Sequence, residues 1–195
     1  MRKPALLLLV IIYFFITRAF VRMYSADTDY SKGQELLGDR ETSLAFNKAS
    51  LAIEKNPIEP LYYEGRAKAL ILMSSHQDAE IVRNLKSLAF SDMQRAYDLN
   101  SKNLVTIRNL VPIYYFLAQK DITAPPSADN VDPLWVNEVQ SFYEVNKNIS
   151  PNDVGVYALF AKYEKRLNLT EEYKYSVSKV KELRPDLLDW YDAFR

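Results

Sequence analysis

The sequence predicts an all-α protein with one N-terminal transmembrane helix followed by an α-solenoid of about four degenerate helical hairpins. Three observations lead to this prediction. An uncharged apolar segment begins the chain, apolar residues recur every three or four positions from Asp27 onward, and similar helix-ending segments recur along the rest. We therefore expect a transmembrane signal anchor at residues 1–25 and a helical repeat domain at residues 26–195.

The composition argues against most kinds of chemistry. The 195 residues include 4 glycines, no cysteine and one histidine, which disfavours Gly-rich phosphate loops, thiol nucleophiles and nearly all zinc sites. Lys and Arg together number 25, as do Asp and Glu, so no basic field attracts nucleic acid. We expect a protein that is not an enzyme, with no cofactor, no metal and no nucleic-acid partner. No small-molecule substrate is evident.

The N-terminal segment is the clearest feature. The 18 residues from Pro4 to Val21 contain one charge, Arg18. As a helix they extend about 27 Å, close to the roughly 30 Å thickness of a bilayer core. Arg18 lies one turn from the end, where its side chain can extend to the headgroups. Residues 4–21 are therefore predicted to cross a membrane.

A cleaved signal peptide is the competing interpretation of this segment. Its charge-free part is short enough, but Thr17-Arg18-Ala19 is a poor cleavage signal because arginine lies between the small residues. Positive charges at Arg2 and Lys3 favour an N-terminus inside the cell. We expect a single-pass membrane protein whose helical domain is extracytoplasmic, either periplasmic or extracellular.

The helix-ending segments suggest a repeat. Taking Pro57, Ser101, Pro151 and Pro185 as equivalent positions gives separations of 44, 50 and 34 residues. The last equals the tetratricopeptide period of about 34 residues. The longer separations imply insertions, which we expect around residues 76–80 and 121–133.

Side chains in this register support the repeat. Large residues beside a small one are expected in each first helix, and small residues are expected where the second helix approaches. The second unit has Tyr63, Ala67 and Leu70 in its first helix, then Ala89, Met93 and Ala96 in its second. The other units offer Gly33, Leu36, Ala45, Ala49 and Ala52; Ile107, Leu110, Val111 and Tyr114; and Tyr157, Phe160, Ala161, Tyr173, Val177 and Val180. The chain thus resembles a tetratricopeptide repeat protein over nearly all of residues 27–185.

The match to that family has departures. Asp29 and Lys32 occupy positions where large apolar residues belong, and Asn146 replaces the usual alanine. Pro112 lies inside a predicted helix, which we expect to kink after Val111. An irregular helical bundle is the alternative interpretation. The chain also runs from the apolar segment through a GxxLL-type first helix, GQELL at residues 33–37, to AFNKASLAIEKNPIEPLYYEGRAKAL at residues 45–70. In this order about the first 75 residues are similar to the repeat tail of bacterial O-antigen ligase and polymerase-type proteins.

The resemblance implies a concave groove lined by the first helices of the pairs. Helical phase leaves seven residues there off the packing face, and together they would clamp an acidic peptide or a C-terminal carboxylate. They are Glu64, Lys68, Arg108, Asn109, Tyr115, Lys162 and Lys165. An ordinary solvated charged face is the alternative for these residues.

Other candidate positions have simpler interpretations. His76 is expected to be solvated in an inter-helix loop, and Glu171 and Glu172 to complement a helix dipole. Aromatic residues between Leu134 and Tyr143 offer an alternative docking edge. A short terminal helix is expected to cover the last repeat with Leu187, Leu188, Trp190 and Tyr191.

These features predict a membrane-anchored scaffold or assembly factor that binds a partner protein or peptide through its groove. Two other functions fit the sequence. One is an accessory or fragment of a bacterial surface-polysaccharide (O-antigen) ligase or polymerase system. The other is a structural subunit of a membrane complex, with contacts made by the insertions at residues 76–85 and 121–133.

Overall fold

A computed structural model describes the backbone of residues 2–75 and 77–189 and the side chains of residues 7–75 and 77–188. Within these ranges the structure contains α-helices and two short 3-10 helices but no β-strand, which confirms the predicted all-α class. The helices are α1 (Arg2–Gly38), α2 (Thr42–Lys55), α3 (Pro60–Met73), α4 (Ala79–Leu99), α5 (Leu104–Leu117), α6 (Val136–Ile149), α7 (Val154–Arg166) and α8 (Thr170–Leu183). The 3-10 helices are Ala128–Asn130 and Pro185–Asp189.

Helix α1 contains the predicted anchor. It is long and apolar enough to cross a membrane, with a mean hydropathy of 1.8 over its most apolar window, and that window is not buried against the rest of the protein. A signal sequence has the same properties. The predicted boundary between residues 25 and 26 falls inside α1, so this one helix contributes to both predicted regions.

The helices pack in sequence order. Each helix contacts the next, and the odd-numbered helices also contact one another in the order α1, α3, α5 and α7. The start of α3 meets α1 where Tyr62 donates a hydrogen bond to Asp27, and further along Gly65 lies against Tyr30. Since residue numbers rise together on both helices, α1 and α3 run in the same direction.

The same holds for α5 and α7. Arg108 near the start of α5 pairs with Asp153 just before α7, with Nη2 and Oδ1 3.1 Å apart, and the rings of Tyr115 and Tyr163 further along are 5.0 Å apart.

The four positions chosen from the sequence each lie two residues after the end of an even-numbered helix. Pro57, Ser101, Pro151 and Pro185 follow helices that end at Lys55, Leu99, Ile149 and Leu183.

The predicted core residues are largely buried. Six of them are at most 2% exposed: Ala45, Ala49 and Ala52 on α2, and Ala89, Met93 and Ala96 on α4. The three alanines of α2 face α1. Glycine permits the closest approach between α1 and α3. A Cβ atom at Gly65 would lie 2.7 Å from the ring of Tyr30 and 2.8 Å from the amide nitrogen of Gln34. Gly65, which was not singled out from the sequence, therefore allows the close approach of α1 and α3.

The polar departures from the pattern find partners. Asp29 accepts hydrogen bonds from Lys48, with Nζ and Oδ1 2.8 Å apart, and from Lys55. These bonds lower the pKa of Asp29 despite the opposing effect of burial. Asn146 is buried and donates to the carbonyl oxygen of Phe142 at 2.7 Å. Pro112 lies within α5, and the predicted kink stays a prediction.

The two predicted insertions take different forms. Most of the first is absorbed into α4, which has 21 residues where α2 has 14. The second forms the connection between α5 and α6, residues 118–135. Lys86 of α4 is buried beneath it and donates to the carbonyl of Gln119 at 2.6 Å and to Asp132 at 2.9 Å. One ammonium group thus holds both ends of this loop.

The C-terminal prediction falls partly outside the described residues. Leu187 and Leu188, in or beside the second 3-10 helix, pack against a cluster that contains Tyr157, Ala158 and Val180. Trp190 and Tyr191 lie outside the described residues, as does His76.

Candidate functional site

An apolar groove of about 480 Å³ lies between α1, α3 and α5 and is closed on one side by the loop after α5. Of the lining residues that the structure describes, Lys68 alone carries a charge. Leu72 and Phe116 are about 40% exposed, so apolar surface is available to a ligand. The remaining lining residues are Gln34, Leu37, Gly38, Ile71, Pro112, Ile113 and Ile122.

The common direction of the odd-numbered helices creates this groove. The last turn of α1, the last two turns of α3 and the second half of α5 lie at the same level. The chain leaves α1 sharply at Arg40, which adopts the left-handed conformation with φ of 65°. The amide of Glu41 donates to the carbonyl of Leu36 at 2.8 Å, which closes the helix end. Because α1 stops there, its end leaves the groove open.

A buried carboxyl group lies one helical turn from Lys68. Glu64 is fully buried, and burial raises its pKa to about 7, although Lys68 and the Asn109 side chain both favour the ionised form. The phenol of Tyr30 is also affected: burial and the Glu64 carboxylate raise its pKa to about 12. A buried carboxyl group with a raised pKa therefore lies one helical turn from the lysine that lines the groove.

The seven predicted groove residues lie on three of the odd-numbered helices, α3, α5 and α7. Lys68 lines the groove, with Glu64 and Asn109 beside it. Arg108 is instead paired with Asp153 at the start of α7. Lys165 lies over the ring of Tyr173, 5.9 Å from its centroid.

Two of these residues are buried, contrary to their predicted exposure. Glu64 is covered because α3 is flanked by α1, α2, α4 and α5, which leaves few of its faces open. Tyr115 is 4% exposed because it packs on Tyr163 and lies under the guanidinium of Arg166. Lys162 is half-buried, and its Nζ lies 5.5 Å from the centroid of the Tyr163 ring.

The apolar lining of the groove was not predicted from the sequence. Leu72, Phe116 and Ile113 were not singled out, although α5 is apolar around most of its circumference. A helix of this kind must either be surrounded or present apolar surface to a partner. That composition was the available signal.

A second cavity, of about 620 Å³, lies between α6, α7 and α8 and is polar. Its base is the buried ion pair of Lys147 and Glu164, with Nζ and Oε1 2.5 Å apart. The pKa of Glu164 is raised by burial against the opposing effect of Lys147. Near the mouth, Gln140 donates to Glu172 at 2.8 Å. These contacts connect α6 to its neighbours.

Among residues 7–75 and 77–188, no group of three or more histidine or acidic side chains is arranged to hold a metal ion. No family model matches the chain, and no curated protein matches it in sequence.

Proposed function

We propose that this protein is a membrane-anchored interaction module that binds a segment of a partner protein in the groove between α1, α3 and α5. In this proposal the helix pairs α1/α2, α3/α4, α5/α6 and α7/α8 stack as four degenerate tetratricopeptide-like hairpins. The contacts between successive helices and between the odd-numbered helices support that arrangement. The even-numbered helices end two residues before Pro57, Ser101, Pro151 and Pro185, which supports it as well.

The apolar groove with its single lysine carries the proposal. An extended or helical peptide with two or three apolar side chains would cover Leu72 and Phe116, and a carboxylate on the peptide would meet Lys68. The anchor would keep the groove at one membrane surface, which raises the effective concentration of a partner in the same membrane. The domain would lie on the extracytoplasmic side.

Site-directed crosslinking tests this function. A photoreactive residue at Phe116, in the full-length chain in its own membrane, should give a discrete adduct with one partner. The same residue at Leu88 is the matched control, because Leu88 is 56% exposed but lies on α4, which does not line the groove. No adduct, or equal adducts at both positions, would contradict the proposal.

The charge requirement is tested in the same system. Lys68→Gln removes the charge without placing a second carboxylate beside the buried Glu64, so it should abolish the adduct at position 116 without lowering the melting temperature. The double change Lys162→Glu and Lys165→Glu should leave the adduct intact, since those lysines lie on α7. The opposite pattern would place the recognition surface on α7. An adduct with a polysaccharide-assembly enzyme would instead favour an accessory role in glycan assembly.

A further inference from the structure

We infer that the turn between α2 and α3, residues 56–59, enters the headgroup region of the bilayer and that Ile58 is its point of contact with lipid. This inference rests on the proposed membrane anchor and adds a second point of attachment. It makes the protein a body held against the membrane surface, in addition to being tethered to it.

The first step is that α1 is one continuous helix. It runs from Arg2 to Gly38 and includes both the apolar segment and the residues that pack against α2 and α3. No loop separates the membrane segment from the helical domain. The position of the domain relative to the bilayer is therefore fixed by α1 itself.

The second step is that α2 runs back toward the membrane along α1. Gly33 lies against Ala45 near the start of α2, and Lys55 at the end of α2 donates to the hydroxyl of Ser25 at 2.8 Å. Still closer to the apolar segment, Arg22 donates to the carbonyl oxygen of Glu54 at 2.8 Å. The turn that follows Lys55 therefore lies beside Arg22 along α1, or closer to the apolar segment.

The third step is that the depth of the turn relative to the bilayer follows from the thickness of the headgroup region. The headgroup region adds roughly 5 to 7 Å on each side of the hydrocarbon core, which corresponds to about 3 to 5 residues of helix. If the core ends near Val21, this region reaches Tyr24 or Ser25. The contacts of Arg22 and Lys55 place the turn within it.

The fourth step is the exposed apolar surface of the turn. Ile58 is 70% exposed, the highest value for a large hydrophobic side chain between residues 26 and 188 among those the structure describes. Pro57 beside it is also exposed. In water this surface is unfavourable, whereas at the boundary between headgroups and acyl chains it is buried.

Charges of both signs lie at this end of the domain, and Glu54 at the end of α2 is exposed. Asp29 is neutralised by two lysines, and Asp27 accepts a hydrogen bond from Tyr62. Glu59 accepts a hydrogen bond from the amide of Leu61 as the N-cap of α3. Arg18 and Arg22 lie on the part of α1 that borders the headgroups, where they can meet lipid phosphates.

Spin labelling tests this contact directly, because the native chain contains no cysteine. The full-length chain with Ile58→Cys, carrying a nitroxide, is reconstituted into vesicles of phosphatidylcholine and phosphatidylglycerol. Its accessibility to oxygen, which partitions into lipid, is compared with that to a water-soluble nickel chelate. Leu44→Cys is the control, since Leu44 is 52% exposed and lies on α2, the helix that precedes the turn. It lies near the other end of α2, and the α1 contacts of that helix span 11 residues, or about 16 Å.

We expect the ratio of oxygen to nickel accessibility at position 58 to exceed that at position 44 several-fold. A Phe14→Cys label, within the apolar segment, separates the two ways of failing. If position 14 is in lipid and position 58 is as water-accessible as position 44, the inference is wrong and the anchor stands. If position 14 is itself in water, the membrane anchor is wrong and the inference falls with it.

Discussion

Buried charges are the main feature of this protein at the scale of single residues. Lys86, Lys147, Glu64 and Glu164 are all at least 94% inaccessible to solvent. Lys86 and Lys147 are held by acidic partners, whereas burial outweighs the effects of Lys68 and Asn109 on Glu64. Because an unpaired buried carboxylate is costly, Glu64 holds its proton up to nearly neutral pH.

This behaviour predicts a stability change with pH. A carboxyl group with a raised pKa binds more protons in the folded than in the unfolded chain, so its contribution falls as the pH rises from about 4.3 to about 7. Glu64→Gln removes the ionisation and should stabilise the protein at pH 8 by on the order of 2 kcal/mol. At pH 4 the two proteins should be equally stable.

Urea unfolding of the full-length chain in detergent, followed by circular dichroism at both pH values, measures this difference. An equal offset between Glu64→Gln and the parent protein at pH 4 and pH 8 would show that Glu64 ionises normally.

At the scale of helices, the separation of α1 and α3 depends on Gly65. Alanine there gains helix propensity worth about 1 kcal/mol but brings a Cβ atom to 2.7 Å from the ring of Tyr30. That ring cannot move freely because it packs on Tyr62, with centroids 5.3 Å apart. Overpacking of this kind costs about 1 to 3 kcal/mol, so we expect Gly65→Ala to be destabilising overall.

Gly38→Ala is the matched control for this substitution. A Cβ atom at Gly38, the last residue of α1, would have no neighbour within 4 Å. It should leave the melting temperature unchanged or raise it slightly. If Gly65→Ala also raised the melting temperature, the close contact between α1 and α3 would be absent in solution.

The ends of the helices could be predicted from the sequence, whereas the side chains that line the groove could not. Proline and Asn/Ser-rich turns act locally, so Pro57 and Pro151 marked helix ends correctly without knowledge of the rest of the fold. Exposure is a property of the assembled helices. Helical phase put Glu64 and Tyr115 on an open face, but neighbouring helices and Tyr163 cover them. The length of α4 was missed for a similar reason, since a polar stretch can extend a helix as readily as interrupt it.

At the scale of the whole molecule, the apolar N-terminal segment and the residues that pack against α2 and α3 share one helix, α1. A fragment that starts at residue 23 retains the part of α1 that covers α2, including Asp29 and Gly33. A fragment that starts at residue 42 uncovers the alanine face of α2 and leaves Lys48 and Lys55 without their carboxylate partner.

We expect the fragment of residues 23–195 to be helical and to unfold cooperatively. The fragment of residues 42–195 should melt at least several degrees lower, because a loss of 1 kcal/mol lowers the melting temperature by roughly 2 to 4 °C in a domain of this size. Thermal melts followed by circular dichroism measure both. Equal melting temperatures would mean that the packing of α1 adds no stability to the helical domain.

The loop of residues 118–135 has a consequence for how recognition could diversify. Lys86 fixes both of its ends, at Gln119 and Asp132, while the intervening segment supplies Ile122 to one wall of the groove. Substitutions or changes of length between those two ends would reshape that wall while the helical framework kept its packing. Under the proposed function, changes in this short interval would alter which ligand the groove prefers without disturbing the packed helices.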